Sequence, residues 1–434
     1  MLFTTGSGAP VLVGSRLAGG GQGEVFSVSY PKEHVFKRYF PRELARDQAL
    51  ERRLRAMVAN RPRGWQEQGG HIMMAWPSEL VLEDGSFAGF LMPVVNMADT
   101  VGMHRITNPS DRLRRDPVSP APWTRSFTWR YLVRAGANLA QVTDSLHMAD
   151  TVIGDFNDAN VRVGNDARVT LLDCDSMQIK DPVSDERFFC RVGRPEFTPP
   201  ELMNADWNRA VRHPSSDLFA LAIHLYALLL EGEHPFRGVW HMSGDKPPVP
   251  ELARQGIWAH RHGGPLEPRP AAIRISLLPA RVRELFRAAF ETSAANPAGR
   301  PDARQWHQAL SWLEENLRTC SIEPSHVYPH FHRDACPWCE HIGRLPAADL
   351  PAPPADHRAD SPSTPPSPPP SPPSTPPPPA PSPPPARLRP VQQRSAAAQR
   401  IRQPTSRQFL GVMGSPLKPR IKGEPATPAR PRDP

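Results

Sequence analysis

Three polar side chains stand at spacings that could bring one base and two metal ligands together. Asp155 and Asn160 lie within Val152–Val161, and Asp173 follows the apolar pair Leu171–Leu172 after a short gap. If the residues between them form a small hairpin, all three side chains reach the same end of it. Asp155 could then act as a general base, while the oxygens of Asn160 and Asp173 suit Mg²⁺. The alternative is that Asp and Asn occur here because they favour turns.

A glycine-rich segment near the start of the chain could cradle phosphate groups. Val11–Val28 is predicted to form two strands around Gly19–Gly23, where backbone N–H groups can approach phosphate oxygens closely. The short apolar strand Val35–Tyr39 follows, and Lys37 at its centre could reach inward to the same phosphates. A merely flexible turn and an exposed lysine are the alternatives.

The elements that would position these groups fall into two parts. Residues 1–95 predict a five-stranded sheet with one helix, Arg42–Val58. Glu51 lies near the middle of this helix and could pair with Lys37, with Glu43 as its competitor. Pro93 then forces an extended passage that suits a hinge between two lobes.

The chain beyond the hinge is predicted to be mainly helical. Apolar residues recur at helical spacing in three segments, and a fourth is apolar almost all round and therefore buried. An Asp after Pro301 is expected to cap the last helix. The four segments are Phe127–Met148, Leu218–Glu231, Leu278–Glu291 and Asp302–Leu317.

Taken in order, these features resemble the protein-kinase family in its bacterial, eukaryotic-like Ser/Thr form, over roughly Val11–Leu317. The resemblance implies an α+β, bilobal fold, with an N-lobe at residues 1–96 and a mainly helical C-lobe at 97–318. It also implies ATP- and Mg²⁺-dependent phosphoryl transfer to Ser or Thr of protein substrates, with autophosphorylation among the expected reactions.

The resemblance assigns nucleotide-binding roles to residues of the first part. Gly20 and Gly23 stand at the second and third loop glycines, and Val25 lies beneath the adenine. Lys37 would hold the α- and β-phosphates and pair with Glu51.

The resemblance also assigns roles to residues of the second part. Asp155 would be the base, and Asn160 and Asp173 the Mg²⁺ ligands. Two further roles are structural. An ion pair would join Glu201 to Arg300, and Asp217 would anchor the backbone of the loop that carries the base.

Several residues depart from the family pattern and predict slow transfer with unusual control. Ala18 replaces the first loop glycine, and Asn157 replaces the lysine that usually contacts the γ-phosphate. Ile153–Gly154 replaces His-Arg before the base, which argues against control by a phosphate on the activation loop. Cys174–Asp175 stands where Phe-Gly is usual, and Asp175 could assist metal binding or cap the turn. An ATP-binding pseudokinase that serves as a scaffold is the alternative function.

The Gly-Asp and Asp-Cys-Asp motifs are similar to those of a divergent bacterial kinase group. That group is associated with PP2C-type phosphatases and von Willebrand A-type proteins, so the resemblance implies these as partners beside the protein substrates.

A second constellation predicts a structural Zn²⁺ site in residues 319–345. Soft thiolates two residues apart, with a further Cys and a His at loop distance, suit tetrahedral coordination. The same kinase group carries a similar Cys-Pro-Trp-Cys segment. His330 and His332 are rival ligands, and a redox Cys-x-x-Cys pair or unligated cysteines are the alternatives. The expected ligands are Cys320, His326, Cys336 and Cys339.

Composition separates the end of the chain from the rest. The chain of 434 residues contains 56 prolines, and residues 346–385 are almost entirely Pro, Ser, Ala and Thr, which favours an extended linker. Residues 386–434 carry 11 Lys and Arg against two acidic residues, so the net charge of +8 belongs to this tail. We expect the tail to be disordered and either solvated without a fixed partner or, more weakly, in contact with nucleic acid.

Cysteine usage and hydropathy indicate the compartment. Five scattered cysteines, an odd number, do not form a disulfide framework. The first residues lack the pattern of a signal peptide, and no run of 18 apolar residues is present to span a membrane. These observations favour a cytoplasmic protein.

Overall fold

The computed structural model describes residues 2–66, 70–113, 121–291, 296–333 and 335–344. These residues lie within the compact unit Met1–Pro346. The predicted linker at 346–385 and the basic tail at 386–434 lie outside them. Among the described residues, no helix combines the length and the apolar character needed to cross a membrane.

The fold is mixed α+β, and its named strands pair antiparallel. The strands are β1 (Phe3–Thr5), β2 (Leu12–Gly19), β3 (Gly23–Tyr30), β4 (His34–Tyr39), β5 (Glu79–Glu83), β6 (Ser86–Pro93), β7 (Thr100–Gly102), β8 (Val161–Gly164), β9 (Val169–Leu171), β10 (Ile179–Lys180), β11 (Arg187–Phe188), β12 (Val239–Trp240), β13 (Leu266–Glu267), β14 (Leu317–Thr319) and β15 (Val327–Pro329). The α-helices are α1 (Pro41–Arg46), α2 (Leu50–Ala59), α3 (His104–Thr107), α4 (Pro109–Leu113), α5 (Trp129–His147), α6 (Pro214–Leu229), α7 (Val249–Arg254), α8 (Ala280–Glu291), α9 (Ala303–Glu315) and α10 (Pro337–Arg344).

The first part of the chain forms a six-stranded sheet in the order β1-β5-β6-β4-β3-β2. Side chains alternate across β4, so that Phe36 packs on one face while Lys37 and Tyr39 point to the other. Gly23 on β3 and Gly89 on β6 flank β4, and a Cβ on either would clash with the β4 backbone. Lys37 therefore sits on a strand that is held closely from both sides.

The prediction of five strands and one helix for this part is wrong in two respects. The short segment Phe3–Thr5 adds an edge strand by pairing with β5. The predicted helix Arg42–Val58 is two helices, because the chain leaves helical geometry at Asp47 and the Asp47 carboxylate accepts a hydrogen bond from the N–H of Ala49. This local side-chain bond offers the backbone an alternative to the helix.

The second part is mainly helical and is built around α5 and α6. Helix α6 is almost entirely buried, as its all-round apolar sequence predicts. Helix α9 packs against α5, and Asp302 caps it by accepting a hydrogen bond from the N–H of Gln305. The hairpin β8–β9 joins β7 in a three-stranded sheet, and this hairpin carries the candidate site.

The last described segment packs onto the helical part. Strands β14 and β15 form a hairpin, and α10 follows it. The indole N–H of Trp338 on α10 donates to the carbonyl of Val327 at 2.7 Å, and the Trp338 ring packs edge-on against Trp129 of α5. The helix α10 is absent from the sequence expectations.

Candidate active site and metal centre

The loop before β8 is held by a buried carboxylate. Asp217 near the start of α6 accepts hydrogen bonds from the backbone N–H groups of Ile153 at 2.7 Å and Gly154 at 2.9 Å. His147 at the end of α5 lies 3.0 Å from the same carboxylate. Asp217 is 1% exposed, so these contacts are shielded from water. The prediction that Asp217 anchors this loop is confirmed.

The predicted base lies among amide side chains. The Asn157 amide donates to one carboxylate oxygen of Asp155 at 2.8 Å. The Asn160 amide nitrogen donates to the Asp155 carbonyl at 3.0 Å. Asn157 is buried whereas Asp155 is only partly buried, so the Asp155 carboxylate is fixed from the protein side and keeps access to solvent.

The hairpin β8–β9 brings the two predicted Mg²⁺ ligands to one end. Val161 pairs with Leu171, and beyond this pair the N–H of Leu172 donates to the Asn160 carbonyl at 2.8 Å. Asp173 follows with φ 51° and ψ 36°, a left-handed conformation, and its side chain is 56% exposed. Because the Asn160 amide nitrogen is engaged by Asp155, the amide oxygen is the ligand atom that Asn160 can offer. An exposed carboxylate beside an amide oxygen fits the donor set of Mg²⁺.

Lys37 reaches this turn from the sheet. Its Nζ lies 2.8 Å from both carboxylate oxygens of Asp175 and 3.6 Å from Oδ1 of Asp173. The phenol of Tyr39 donates to Asp175 at 2.6 Å. Lys37, Tyr39 and Asp175 are all buried, so the group is a desolvated ion pair with an additional hydrogen bond.

The three side chains stabilise one another in a fixed protonation state, with Lys37 and Asp175 charged and Tyr39 neutral. Burial alone would lower the pKa of Lys37, but the Asp175 and Asp173 carboxylates outweigh it and raise that pKa above its ordinary value. Burial alone would raise the pKa of Asp175, whereas Lys37 and Tyr39 bring it below its ordinary value. Burial and the adjacent Asp175 raise the pKa of Tyr39 well above 10, so the phenol stays a donor.

The expected pairing of Lys37 with Glu51 is wrong. Glu51 on α2 pairs with Arg55 one turn further along, at 2.6 Å. The competitor Glu43 pairs with Arg46 at 2.6 Å. Both glutamates thus pair with arginines of their own helices. Asp175 takes the place that Glu51 was expected to fill beside Lys37.

The glycine-rich turn between β2 and β3 is closed by a hydrogen bond from the N–H of Gly20 to the carbonyl of Gly23 at 2.9 Å. A Cβ on Gly20 or Gly21 would meet open space, so the turn leaves room for a ligand. Val25 on β3 stands opposite Lys37 on β4. The predicted phosphate loop, the adenine-side valine and the lysine are thus neighbours on two paired strands.

The predicted ion pair between Glu201 and Arg300 is confirmed. The Arg300 guanidinium donates to both Glu201 oxygens, at 2.7 and 2.8 Å, and also to the Ser215 carbonyl. The Arg300 side chain is fully buried. The pair ties the segment before α6 to the start of α9.

Two further supports of the loop escaped the sequence analysis. His224 in the middle of α6 lies 3.0 Å from the Phe156 carbonyl, and burial lowers the pKa of His224 to about 4. Gly154 has φ 73°, and a Cβ there would overlap Cys190 and Arg212. Two features of the sequence could have indicated these supports: His224 is a lone histidine in an apolar helix, and Gly154 directly precedes the predicted base.

Four side chains in the last segment form a cluster that suits a metal. The ligand atoms of Cys320, His326, Cys336 and Cys339 all lie within 4.8 Å of one another. The Cys320–Cys339 sulfur distance is 3.9 Å, and His326 Nδ1 lies 3.8 and 3.4 Å from the sulfurs of Cys336 and Cys339. Tetrahedral Zn²⁺ with ordinary bond lengths requires about 3.8 Å between sulfurs and about 3.5 Å from sulfur to nitrogen. The cluster therefore fits zinc.

The surroundings of the cluster agree with this fit. Backbone N–H groups of Glu323 and Ile322 lower the pKa of Cys320. Burial and the adjacent thiols raise the pKa of Cys339 to about 12, an effect that a central divalent cation would reverse. The rival ligands lie elsewhere, since His330 contacts the Asn316 carbonyl and His332 the Leu277 carbonyl.

Two curated proteins that are similar to this chain are named as protein kinases. No family model matches the chain. The chain is 31% identical over 350 residues to Protein kinase YegI of Escherichia coli O157:H7, and 30% identical to the protein of that name in Escherichia coli (strain K12). Each alignment covers 77% of this chain and 49% of the relative, so the chain spans about half the length of the curated relatives it matches. The similarity supports a divergent bacterial kinase family as the group to which this chain is related.

Proposed function

We propose that the chain is a protein kinase that transfers the γ-phosphoryl group of Mg²⁺-ATP to Ser or Thr hydroxyls of proteins. The observation that carries the proposal is the distance of 3.6 Å between Lys37 Nζ and Asp173 Oδ1. Lys37 belongs to the sheet and Asp173 to the turn after β9, beside Asn160 and the loop of Asp155. A phosphate-binding cation, metal ligands and a base thus border one region, and the relatives named as kinases add independent support.

Each proposed role follows from the chemistry of phosphoryl transfer, which depends mainly on positioning and on neutralising charge. Lys37 and the N–H groups of the turn between Gly20 and Gly23 bind the phosphates. Asn160 and Asp173 hold Mg²⁺, which supplies charge neutralisation on the triphosphate. Val25 supports the adenine.

Asp155 orients the acceptor hydroxyl and takes its proton. The hydroxyl oxygen bonds to the γ-phosphorus, the bond from that phosphorus to the bridging oxygen breaks, and ADP leaves.

The domain division is part of the same proposal. Residues 1–96 serve as the N-lobe and 97–318 as the C-lobe of a bilobal kinase fold, with the site between them. Residues 319–345 form a zinc module in which Cys320, His326, Cys336 and Cys339 hold a structural ion. The contact of Trp338 with Trp129 supports the proposal that the bound ion holds residues 319–345 against α5.

The partners are proposed at the level of class. Protein substrates follow from the kinase proposal itself. A PP2C-type phosphatase and a von Willebrand A-type protein follow only from the family association of the Gly-Asp and Asp-Cys-Asp motifs.

A second candidate, an ATP-binding pseudokinase, rests on Asn157. Its amide donates to one Asp155 oxygen at 2.8 Å, and the residue is 2% exposed. An amide there supplies no positive charge to the γ-phosphate, whereas the usual lysine does. If this loss is decisive, the chain binds ATP without transferring phosphate.

The experiment compares purified full-length protein with Asp155→Asn and with the neighbouring Asp158→Asn as a matched control. Each is incubated with γ-labelled ATP and Mg²⁺, with itself and a Ser/Thr peptide library as acceptors, and ATP affinity is measured in parallel. We expect Asp155→Asn to lower transfer at least about 100-fold. Asp158→Asn should change it about twofold at most, since the partner of Asp158, Arg194, lies 3.5 Å away and is half exposed. ATP binding without transfer by the wild type would favour the pseudokinase, and equal labelling by all three proteins would refute the role of Asp155.

A further inference from the structure

We propose that Asp175 is the positioning residue for Lys37, and that Lys37 is therefore aligned by the metal turn rather than by a helix. This inference rests on the proposed function, because Lys37 is taken to bind the phosphates of ATP. It concerns a different residue and a different measurement, the affinity for ATP.

The contacts of Asp175 are those of a residue that fixes an ammonium group. Both carboxylate oxygens lie 2.8 Å from Lys37 Nζ, and Tyr39 holds one of them at 2.6 Å. Asp175 is 4% exposed, so water does not compete. A lysine has three N–H donors, and two engaged by Asp175 leave one for a phosphate oxygen.

The acidic residues of the adjacent helices do not share this role. Glu51 is paired with Arg55, and Glu43 with Arg46. Helix α2 contacts the turn through Arg53, which donates to the carbonyl of Met177. The helix is thus joined to the turn by its own bond, independently of Lys37.

The position of Asp175 links two groups that must act on the same triphosphate. Asp173 and Asp175 lie on one tight turn, with Asp173 exposed and Asp175 buried against Lys37. Any movement of this turn therefore moves the metal ligand and the lysine together.

The test is a double-mutant cycle read by ATP affinity. Asp175→Asn, Lys37→Met and the double variant are compared with the wild type, and Glu51→Gln serves as the control. Affinity is measured with Mg²⁺ and again with EDTA. Thermal melts without nucleotide report whether each variant is folded.

We expect Asp175→Asn to weaken ATP binding about tenfold, because a charge-assisted bond that orients Lys37 is lost. In the Lys37→Met background the same substitution should change affinity less than about twofold, and Glu51→Gln should also stay within about twofold. The loss should persist in EDTA. If Asp175→Asn does not fold, Tyr39→Phe removes one bond that holds the carboxylate and replaces it in the same cycle.

Three results would overturn the inference. Additive losses in the cycle would mean a general structural role for Asp175. A loss confined to Mg²⁺ would make Asp175 a metal ligand, and a loss in Glu51→Gln would restore the helix glutamate. A wild type that binds ATP with the expected pattern but transfers no phosphate would refute the proposed function and leave this inference standing.

Discussion

The substitution Asp217→Asn tests how much the buried carboxylate contributes to the loop that carries the proposed base. The carboxylate accepts N–H bonds from Ile153 and Gly154 at 2.7 and 2.9 Å and is 1% exposed. An amide can accept one of these bonds, but its NH₂ group then faces the other backbone N–H. An unsatisfied buried donor costs about 1–3 kcal/mol, and the remaining bond loses its charge assistance. We therefore expect a loss of about 3 kcal/mol in the free energy of unfolding.

The assay is thermal unfolding, supported by chemical denaturation. At about 2.1 cal/mol/K per residue, the unit Met1–Pro346 has an unfolding entropy of about 0.7 kcal/mol/K, so Tm should fall by about 4 °C. The matched control is Asp144→Asn, whose partner Arg304 lies at 3.3 Å in an exposed pair, and its cost should stay below about 1 kcal/mol. Equal shifts for both variants, or none for Asp217→Asn, would refute the reasoning.

Three further predictions concern other parts of the molecule. Cys336→Ser should reduce the zinc content after native purification from about one equivalent per chain to less than half, since zinc affinity requires all four ligands. Cys190→Ser, the control, should leave the zinc content unchanged. Equal zinc in both variants would contradict the proposed zinc site. Glu201→Gln should cost about 3 kcal/mol in denaturant unfolding because it leaves the buried Arg300 without its carboxylate, and a cost below about 1 kcal/mol would count against the pair. His224 has a pKa of about 4 in the folded chain against 6.5 in general. Protonation of the unfolded chain at this residue should therefore remove about 2 kcal/mol of stability between about pH 7.5 and about pH 5. Burial also lowers the pKa values of His234 and His260 to about 4, so His224→Gln should reduce the pH dependence of stability by its own share, and an unchanged slope would exclude His224 as a contributor.

The parts of the site that depend on local spacing were predictable from the sequence. Asp155 and Asn160 precede a strand, and Asp173 follows its partner strand, so a short hairpin suffices to bring them to one end. Local spacing could not predict the ion pair of Glu201 with Arg300, because the two residues lie 99 positions apart. The family resemblance predicted this pair instead.

The partner of Lys37 was not predictable, for a physical reason. A helix segment permits several carboxylates to face a given lysine, and the choice depends on where the helix begins. Here Glu43 and Glu51 each pair with an arginine three or four residues further along the same helix. The feature of the sequence that could have indicated this partner is Asp175 itself, a second acidic residue two positions after Asp173.

The choice of the fourth ligand in the Cys/His cluster likewise needed tertiary contacts. Three histidines lie within the same short segment, and spacing alone admits His326, His330 and His332. The hairpin β14–β15 directs His326 toward the thiols, while backbone carbonyls engage the other two. The packing of α10 against α5 is also a long-range effect that periodicity does not encode.

The most direct test of the central claim is the rate of γ-phosphate transfer from Mg²⁺-ATP to Ser or Thr by the wild type and by Asp155→Asn. Phosphoamino-acid analysis of the labelled protein identifies the acceptor. We expect phosphoserine or phosphothreonine from the wild type and a rate at least about 100-fold lower from the variant. Transfer at equal rates, or none from a wild type that is folded and binds ATP, would contradict it.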